Sequence, residues 1–317
     1  MNIVLLEPLA VSEEVLKELT ADLNKAGHVF TKYDTVEKDE SILKERVKDA
    51  DILIIANNPL SGEVIRAAKN LKYISVAFTG VDHIDKEACL ERGIKVSNAA
   101  GYSNDSVAEL TLGLIISVLR NILPCDEATR KFGTKEGLVG FELKGKTVGI
   151  IGTGAIGLRV AEILKAFNCR ILGYSRSKRQ RAEELGVEYV TLEELLKNSD
   201  IVTLHTPLNE ETKGLINEER IGLMKESSIL INLSRGPVVD SMALAEALNN
   251  EKIAGAAVDV YETEPPIDRK HPLLNSKNTI VTPHIAYATR ESMVNRAKIT
   301  IENVYAYLNN EEKNRVF

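Results

Sequence analysis

Three residues suited to proton and anion chemistry each follow a short apolar run in the second half of the chain. Ile229–Asn232 leads into Leu-Ser-Arg235-Gly-Pro, Ala256–Val260 into Tyr-Glu-Thr-Glu264-Pro-Pro, and Thr279–Thr282 into Pro-His284-Ile-Ala. Each run reads as a short buried strand. In a parallel α/β sheet, the loops at the carboxyl ends of strands form the ligand crevice. An arginine there offers a rigid two-pronged fork for a carboxylate. A histidine there can exchange a proton near neutral pH. A glutamate beside it would hold the second ring nitrogen, fix the tautomer and favour the protonated form. Each residue type alone is more often a surface or capping group. Their joint placement points instead to hydride transfer at a carbonyl next to a carboxylate.

Such chemistry needs a redox partner, and a binding motif for one lies upstream. Lys146-Thr-Val-Gly-Ile-Ile151 runs into Gly152-Thr-Gly154-Ala155-Ile156-Gly157 and then an apolar helical pattern. A G-x-G-x-x-G between a strand and a helix is a dinucleotide fingerprint. Gly152 makes the tight turn, Gly154 lets backbone approach a pyrophosphate, and Gly157 lets the helix pack on the strand. The helix N-terminus offers N–H groups to the phosphates. The next strand ends in Tyr174-Ser175-Arg176-Ser177-Lys178-Arg179. An acidic residue at Ser175 would accept the ribose hydroxyl of NAD, and a carboxylate there would repel a 2′-phosphate. Ser175 followed by Arg176 and Ser177 suits the phosphate. NADP(H) is therefore favoured, with NAD(H) the alternative.

The elements that position these residues alternate along the chain. In the first hundred residues, Asn2–Leu6, Ile52–Ala56, Tyr73–Phe78 and Ile94–Ser97 read as strands separated by helical segments. A second series begins at Lys146, with strands at Thr147–Ile151, Arg170–Tyr174, Ile201–His205 and the three runs above. The alternation means βαβ units and mainly parallel sheets. A final segment, Glu291–Asn309, places Val294, Ala297, Ile301, Val304 and Leu308 on one helical face. Its expected seat is the first domain. The expected division is 1–101 with 286–317, and 102–285 inserted between them, with a hinge at the two crossings. Ser106 and Glu109 fit a helix capping box.

The 317 residues, 44% hydrophobic and 27% charged, are ordinary for a soluble globular protein. A net charge of −6 argues against nucleic acid or an anionic membrane as partner. Cys89, Cys125 and Cys169 form no metal-ligand pattern and read as apolar fillers in a reducing compartment. The N-terminus reads as a first strand, not a signal peptide, so a cytoplasmic location is expected. Val107–Leu123 is the most apolar stretch, but Glu109 and Arg120 interrupt it. It reads as a buried or subunit-facing helix of a homodimer, not a membrane span.

Taken together, Gly152 to Gly157, His205-Thr-Pro-Leu-Asn-Glu-Glu-Thr212, Asn-Leu233-Ser234-Arg235-Gly-Pro, Asp259-Val-Tyr-Glu-Thr-Glu-Pro and Thr-Pro-His284-Ile-Ala286 resemble the D-isomer-specific 2-hydroxyacid dehydrogenases. The resemblance covers essentially the full length. It implies an α/β protein of two doubly wound parallel-sheet domains, a Rossmann cofactor domain and a flavodoxin-like substrate domain. It implies Arg235 as substrate clamp, Glu264 as its acid's partner and His284 as acid/base. Asp259 would contact the nicotinamide amide. His205, Thr206 and Pro207 would line the adenosine or pyrophosphate side, with Thr212, Leu233, Ser234 and Ala286 also at the cofactor. Ala77-Phe-Thr79-Gly80-Val81 matches the family's loop that binds substrate carboxylate through backbone N–H groups, whereas His83 reads as a turn histidine. Ser175 departs from the aspartate many relatives carry. Asn57-Asn58-Pro-Leu and Ile285-Ala-Tyr287 are similar to members that reduce hydroxypyruvate or glyoxylate. D-lactate and short D-3-phosphoglycerate dehydrogenases remain alternatives, as do a formate or phosphite oxidiser and a non-catalytic dinucleotide-sensing protein of the same fold. A phosphoglycerate member with an appended serine-sensing domain is not expected, since the sequence ends at Phe317.

Overall fold

The structure is a computed structural model that describes residues 1–263 and 266–317. It divides into two compact units, one of residues 1–103 with 289–317 and the other of residues 104–288.

The first unit is built on five parallel strands: β1 (Asn2–Leu5), β2 (Val29–Lys32), β3 (Ile52–Ile55), β4 (Tyr73–Val76) and β5 (Lys95–Asn98). Their order is β2-β1-β3-β4-β5, the flavodoxin-like arrangement. β3 and β4 are buried at every residue, as expected of strands covered on both faces. Helices α1 (Glu13–Lys25), α2 (Glu40–Val47), α3 (Gly62–Ala67) and α4 (Lys86–Glu91) connect them. Ser12, Asp39, Ser61 and Asp85 cap these helices with side-chain oxygens.

The second unit opens with α5 (Asn104–Leu119) and α6 (Ile122–Arg130). Seven parallel strands follow: β6 (Thr147–Ile151), β7 (Arg170–Tyr174), β8 (Val187–Tyr189), β9 (Ile201–Leu204), β10 (Ile229–Asn232), β11 (Gly255–Val258) and β12 (Thr279–Val281). Between them lie α7 (Ala155–Ala166), α8 (Gln180–Glu184), α9 (Leu192–Asn198), α10 (Glu218–Ile221) and α11 (Ser241–Asn249). The order β12-β11-β10-β9-β6-β7-β8 reverses direction between β6 and β9. That reversal is the topological switch point, where open α/β sheets bind ligands.

The last helix, α12 (Arg290–Leu308), belongs to the first unit. Ala297, Ile301 and Val304 are buried against Ile3, Leu5, Ile52 and Tyr73. The Tyr307 ring stacks on Tyr73 at 4.2 Å. Ser75 Oγ donates to the Thr300 carbonyl, and Asn303 Nδ2 donates to the Asn98 carbonyl, both at 2.9 Å.

The structure corrects the sequence reading in four places. Val294 is 42% exposed, because the buried stripe of α12 continues through Arg296, whose guanidinium donates to the Leu9 carbonyl. α5 begins at Asn104, so Ser106 is a first-turn residue and not the cap of a capping box. The apolar stretch expected as one helix breaks at Arg120–Asn121, where Asn121 has φ +52°, and α6 leaves at 58°. β2, β8, α6 and α10 were not anticipated. β2 and β8 are edge strands whose exposed positions blur the apolar pattern, and α10 has four residues. Among the described residues, no single helix is long and apolar enough to cross a membrane.

Candidate active site

At the switch point, β6 ends in a turn that only glycine permits. Gly152 has φ +96°, and a Cβ there would lie 2.4 Å from the His205 carbonyl oxygen. A Cβ on Gly157 would lie 2.0 Å from the Gly152 carbonyl oxygen. A Cβ on Gly154 would meet nothing within 4 Å, so the backbone there faces open space. Gly154 is the N-cap of α7, and no side chain bonds into that helix end. Exposed Ala155 and half-buried Ile156 follow it. Uncapped N–H groups beside an open, Cβ-free position fit a pyrophosphate. Two of the three motif glycines are thus demanded by packing, and the third keeps the cradle open.

Across the turn stands His205, just past β9. Its backbone N–H bonds to Ile151, and its Nε2 shares a hydrogen bond with Thr203 Oγ1 at 2.9 Å. Burial pushes its pKa down from 6.5 to about 3, so the ring is neutral at ordinary pH. Thr206 is half-buried and Pro207 exposed; the Pro207 carbonyl accepts from Thr212 Oγ1 at 2.6 Å, which folds the following loop. Past β7, Ser175 is half-buried, while Arg176 and Ser177 are exposed.

The other loops of interest follow three adjacent strands, β10, β11 and β12. Asn232, at the end of β10, is buried; its Oδ1 accepts from the Ser234 N–H and hydroxyl, and its Nδ2 donates to the Arg235 carbonyl. Ser234 and Leu233 are themselves buried, whereas Arg235 keeps part of its surface. Gly236 follows, and a Cβ on it would lie 2.0 Å from the Tyr261 carbonyl carbon. The loop carrying Arg235 therefore presses directly on the backbone of the loop after β11.

Asp259, after β11, has no exposed surface. Its Oδ1 accepts from Thr282 Oγ1 at 2.6 Å and from the Ile285 N–H at 2.8 Å, and its Oδ2 accepts from the Ala286 N–H at 2.8 Å. Between these anchors His284 sits with φ +57°, a left-handed backbone that a non-glycine residue rarely adopts. Its ring lies edge-on to Tyr287 at 5.0 Å. Tyr261 adds a further tie, its hydroxyl donating to the Thr282 carbonyl at 3.0 Å. Arg235, Asp259 and His284 are thus brought to one end of one sheet. Glu264 lies outside the described residues.

In the first unit, Thr79, Gly80 and Val81 follow β4 in an open loop. The Thr79 carbonyl accepts from Asn98 Nδ2 at 2.6 Å. Buried Glu7 accepts from the Ala56 N–H at 2.7 Å and also binds the Asn58 side chain, which fixes the loop after β3. His83 Nε2 bonds the Ala56 carbonyl, the turn role expected of it. Sequence reasoning missed Asn232, Tyr261 and Thr282 as residues that hold the site. The signal available was Asn232 two residues before Ser234, the spacing of an Asx turn.

Comparison with known proteins agrees with this geometry. Residues 112–286 match the NAD binding domain of the D-isomer specific 2-hydroxyacid dehydrogenases. A glyoxylate reductase of Thermofilum pendens is 43% identical over 281 residues, spanning 86% of this chain and 82% of the relative. A solved acyclic imino acid reductase in complex with NADPH and D-Arg superimposes with a TM-score of 0.90 at 31% identity, over all of both chains. The D-lactate dehydrogenase of Aquifex aeolicus, complexed with NAD and lactic acid, gives 0.84 at 32% identity over 98% of this chain and 96% of the other. The chain belongs to the D-isomer-specific 2-hydroxyacid dehydrogenase family. It is an oxidoreductase that acts on the CH–OH group of donors, interconverting a small 2-oxo acid and its D-2-hydroxy acid with a nicotinamide cofactor.

The depressed His205 pKa carries a stability prediction. The unfolded ring takes up its proton near 6.5, while the folded ring resists until about 3. As pH falls through that window the unfolded state binds more protons, so folding stability is lost. The wild-type melting temperature should therefore drop more steeply between pH 6.5 and 4 than that of His205→Gln. Parallel curves would contradict a buried neutral imidazole.

Proposed function

We propose that the chain is an NADP(H)-dependent reductase of glyoxylate- or hydroxypyruvate-like 2-oxo acids. The observation that carries this reading is the His284 backbone, held in a left-handed conformation by Asp259, one strand from the Asp259 loop and two from Arg235. When bound, the nicotinamide supplies the hydride to the carbonyl carbon. His284 gives its ring proton to the carbonyl oxygen as charge develops there. Arg235 clamps the carboxylate. Glu264 is read as the group that holds the second ring nitrogen of His284. Thr79, Gly80 and Val81 are read as substrate-contacting backbone of the first unit, which would make that unit the substrate domain and the inserted unit the cofactor domain.

The glyoxylate assignment is supported by the name of the Thermofilum relative. The NADP(H) assignment is supported by Ser175 followed by exposed Arg176, Lys178 and Arg179, which leave a 2′-phosphate three cations and no carboxylate in that run. The three free cysteines fit a reducing compartment and so a cytoplasmic location. We further propose a homodimer. Ile122, Leu123, Phe132, Val139 and Phe141 are 47–98% exposed along α6 and the segment that returns to α5, where the Phe141 N–H bonds the Leu119 carbonyl. An exposed apolar face of this kind is covered most simply by a second copy.

A panel of glyoxylate, hydroxypyruvate and pyruvate with each cofactor tests the enzymatic reading. The first two substrates should be reduced fastest, with NADPH preferred. His284→Ala should lower turnover by about a hundredfold or more while leaving NADPH binding intact. A wide preference for pyruvate, or turnover that survives without His284, would contradict it. Light scattering at micromolar concentration should give twice the chain mass, and Phe132→Asp with Val139→Asp should halve it. A monomeric wild type would remove the dimer.

A further inference from the structure

The loop that follows β7 is tied to the glycine turn by a residue neither motif contains. Tyr189 ends the edge strand β8, and its hydroxyl lies 2.7 Å from Thr153 Oγ1. Thr153 is the buried middle residue of Gly152-Thr-Gly154. The same hydroxyl accepts the backbone N–H of Arg179 at 3.0 Å. The Lys178 ammonium stands over the Tyr189 ring, 5.8 Å from its centroid. Room for this arrangement comes from Gly173 on β7, where a Cβ would lie 2.5 Å from Val187 Cγ1 and 3.3 Å from Thr153 Cγ2. One phenol therefore joins the pyrophosphate turn to the far end of the run from Ser175 to Arg179.

The geometry points to Tyr189 as the positioning residue that sets cofactor selectivity. This rests on the reading that the 175–179 run faces the adenosine ribose. Arg176, Lys178 and Arg179 are exposed, and long exposed side chains lose rotamer freedom when they grip an anion. A fixed backbone lowers that loss, because the cations then start from one place relative to the turn. The Tyr189 hydroxyl supplies the fixed point through Thr153. It makes no contribution to proton transfer, so turnover at saturating cofactor is independent of it. A 2′-phosphate feels its loss, whereas a bare ribose, which needs no cation, feels it little.

The test is calorimetric titration of NADPH and NADH into the wild type, Tyr189→Phe and Thr153→Val. The quantity read is the ratio of the NADH Kd to the NADPH Kd. Tyr189→Phe removes both hydrogen bonds of the tie and Thr153→Val removes one, so in each the ratio should fall about threefold or more. The NADPH Kd should rise while the NADH Kd changes little. A ratio that changes by less than threefold, or rises, overturns the inference. Thr153→Val decides by the same criterion should Tyr189→Phe fail to fold. The wild-type ratio alone tests the NADP(H) reading: a value below one sinks that reading, while a further fall in the variants still supports the role of Tyr189.

Discussion

Asp259 accepts three hydrogen bonds from a single loop and exposes none of its surface. A left-handed backbone at a non-glycine residue costs about 1–3 kcal/mol, and His284 carries that cost. Hydrogen bonds to a charged group contribute about 1.5–3 kcal/mol each, so three of them outweigh the strain. The result is a histidine whose backbone is held in place by the residues on either side of it that bond Asp259. The restraint does not stop there. Tyr261, two residues on, bonds the Thr282 carbonyl, and its own backbone lies against Gly236, next to Arg235. Through these contacts, Gly236, Asp259, Tyr261 and the segment from Thr282 to Ala286 are tied to one another. His284, the proposed proton donor, is therefore bracketed by residues bonded to Asp259, and Arg235, the proposed anion clamp, meets the same assembly through Gly236 and Tyr261.

The cofactor side of the unit is organised by close backbone approach instead. Gly152 allows the turn to lie against His205, and Gly157 allows α7 to lie against the turn. His205 meets that turn as a neutral ring, because burial holds its pKa at about 3. Tyr189 extends the same framework outward to Arg179. The two halves of the site use different physics. One is fixed by charge-assisted hydrogen bonds to a buried group, the other by the absence of side chains.

Much of this was legible in the residues. The fingerprint at Gly152–Gly157, the three post-strand loops and the return of α12 to the first unit follow from periodicity and from glycine spacing. The two-sheet α/β class follows from the alternation of elements. What stayed hidden depended on contacts distant in sequence. The resemblance marks Asp259 as a cofactor contact, but its hold on the His284 loop emerges only when Ile285 and Ala286 are seen to bond it. Tyr189 sits on a three-residue edge strand, too short to carry a pattern, and its partners lie 36 and 10 residues away. Val294 had the right spacing for the buried face of α12, yet the core ends before it and Arg296 takes the inward position. Edge strands and loop anchors answer to tertiary contacts, which local sequence does not record.

If Asp259 acts by holding His284, removing the histidine removes the reason for the aspartate. The decisive measurement is turnover of the double variant Asp259→Asn with His284→Ala, set against each single variant. Groups that act as one unit give strongly non-additive losses. The double variant should turn over no more slowly, within about threefold, than His284→Ala alone, with Asp259→Asn itself severely impaired. Losses that multiply, or an Asp259→Asn enzyme with wild-type turnover, would contradict the account.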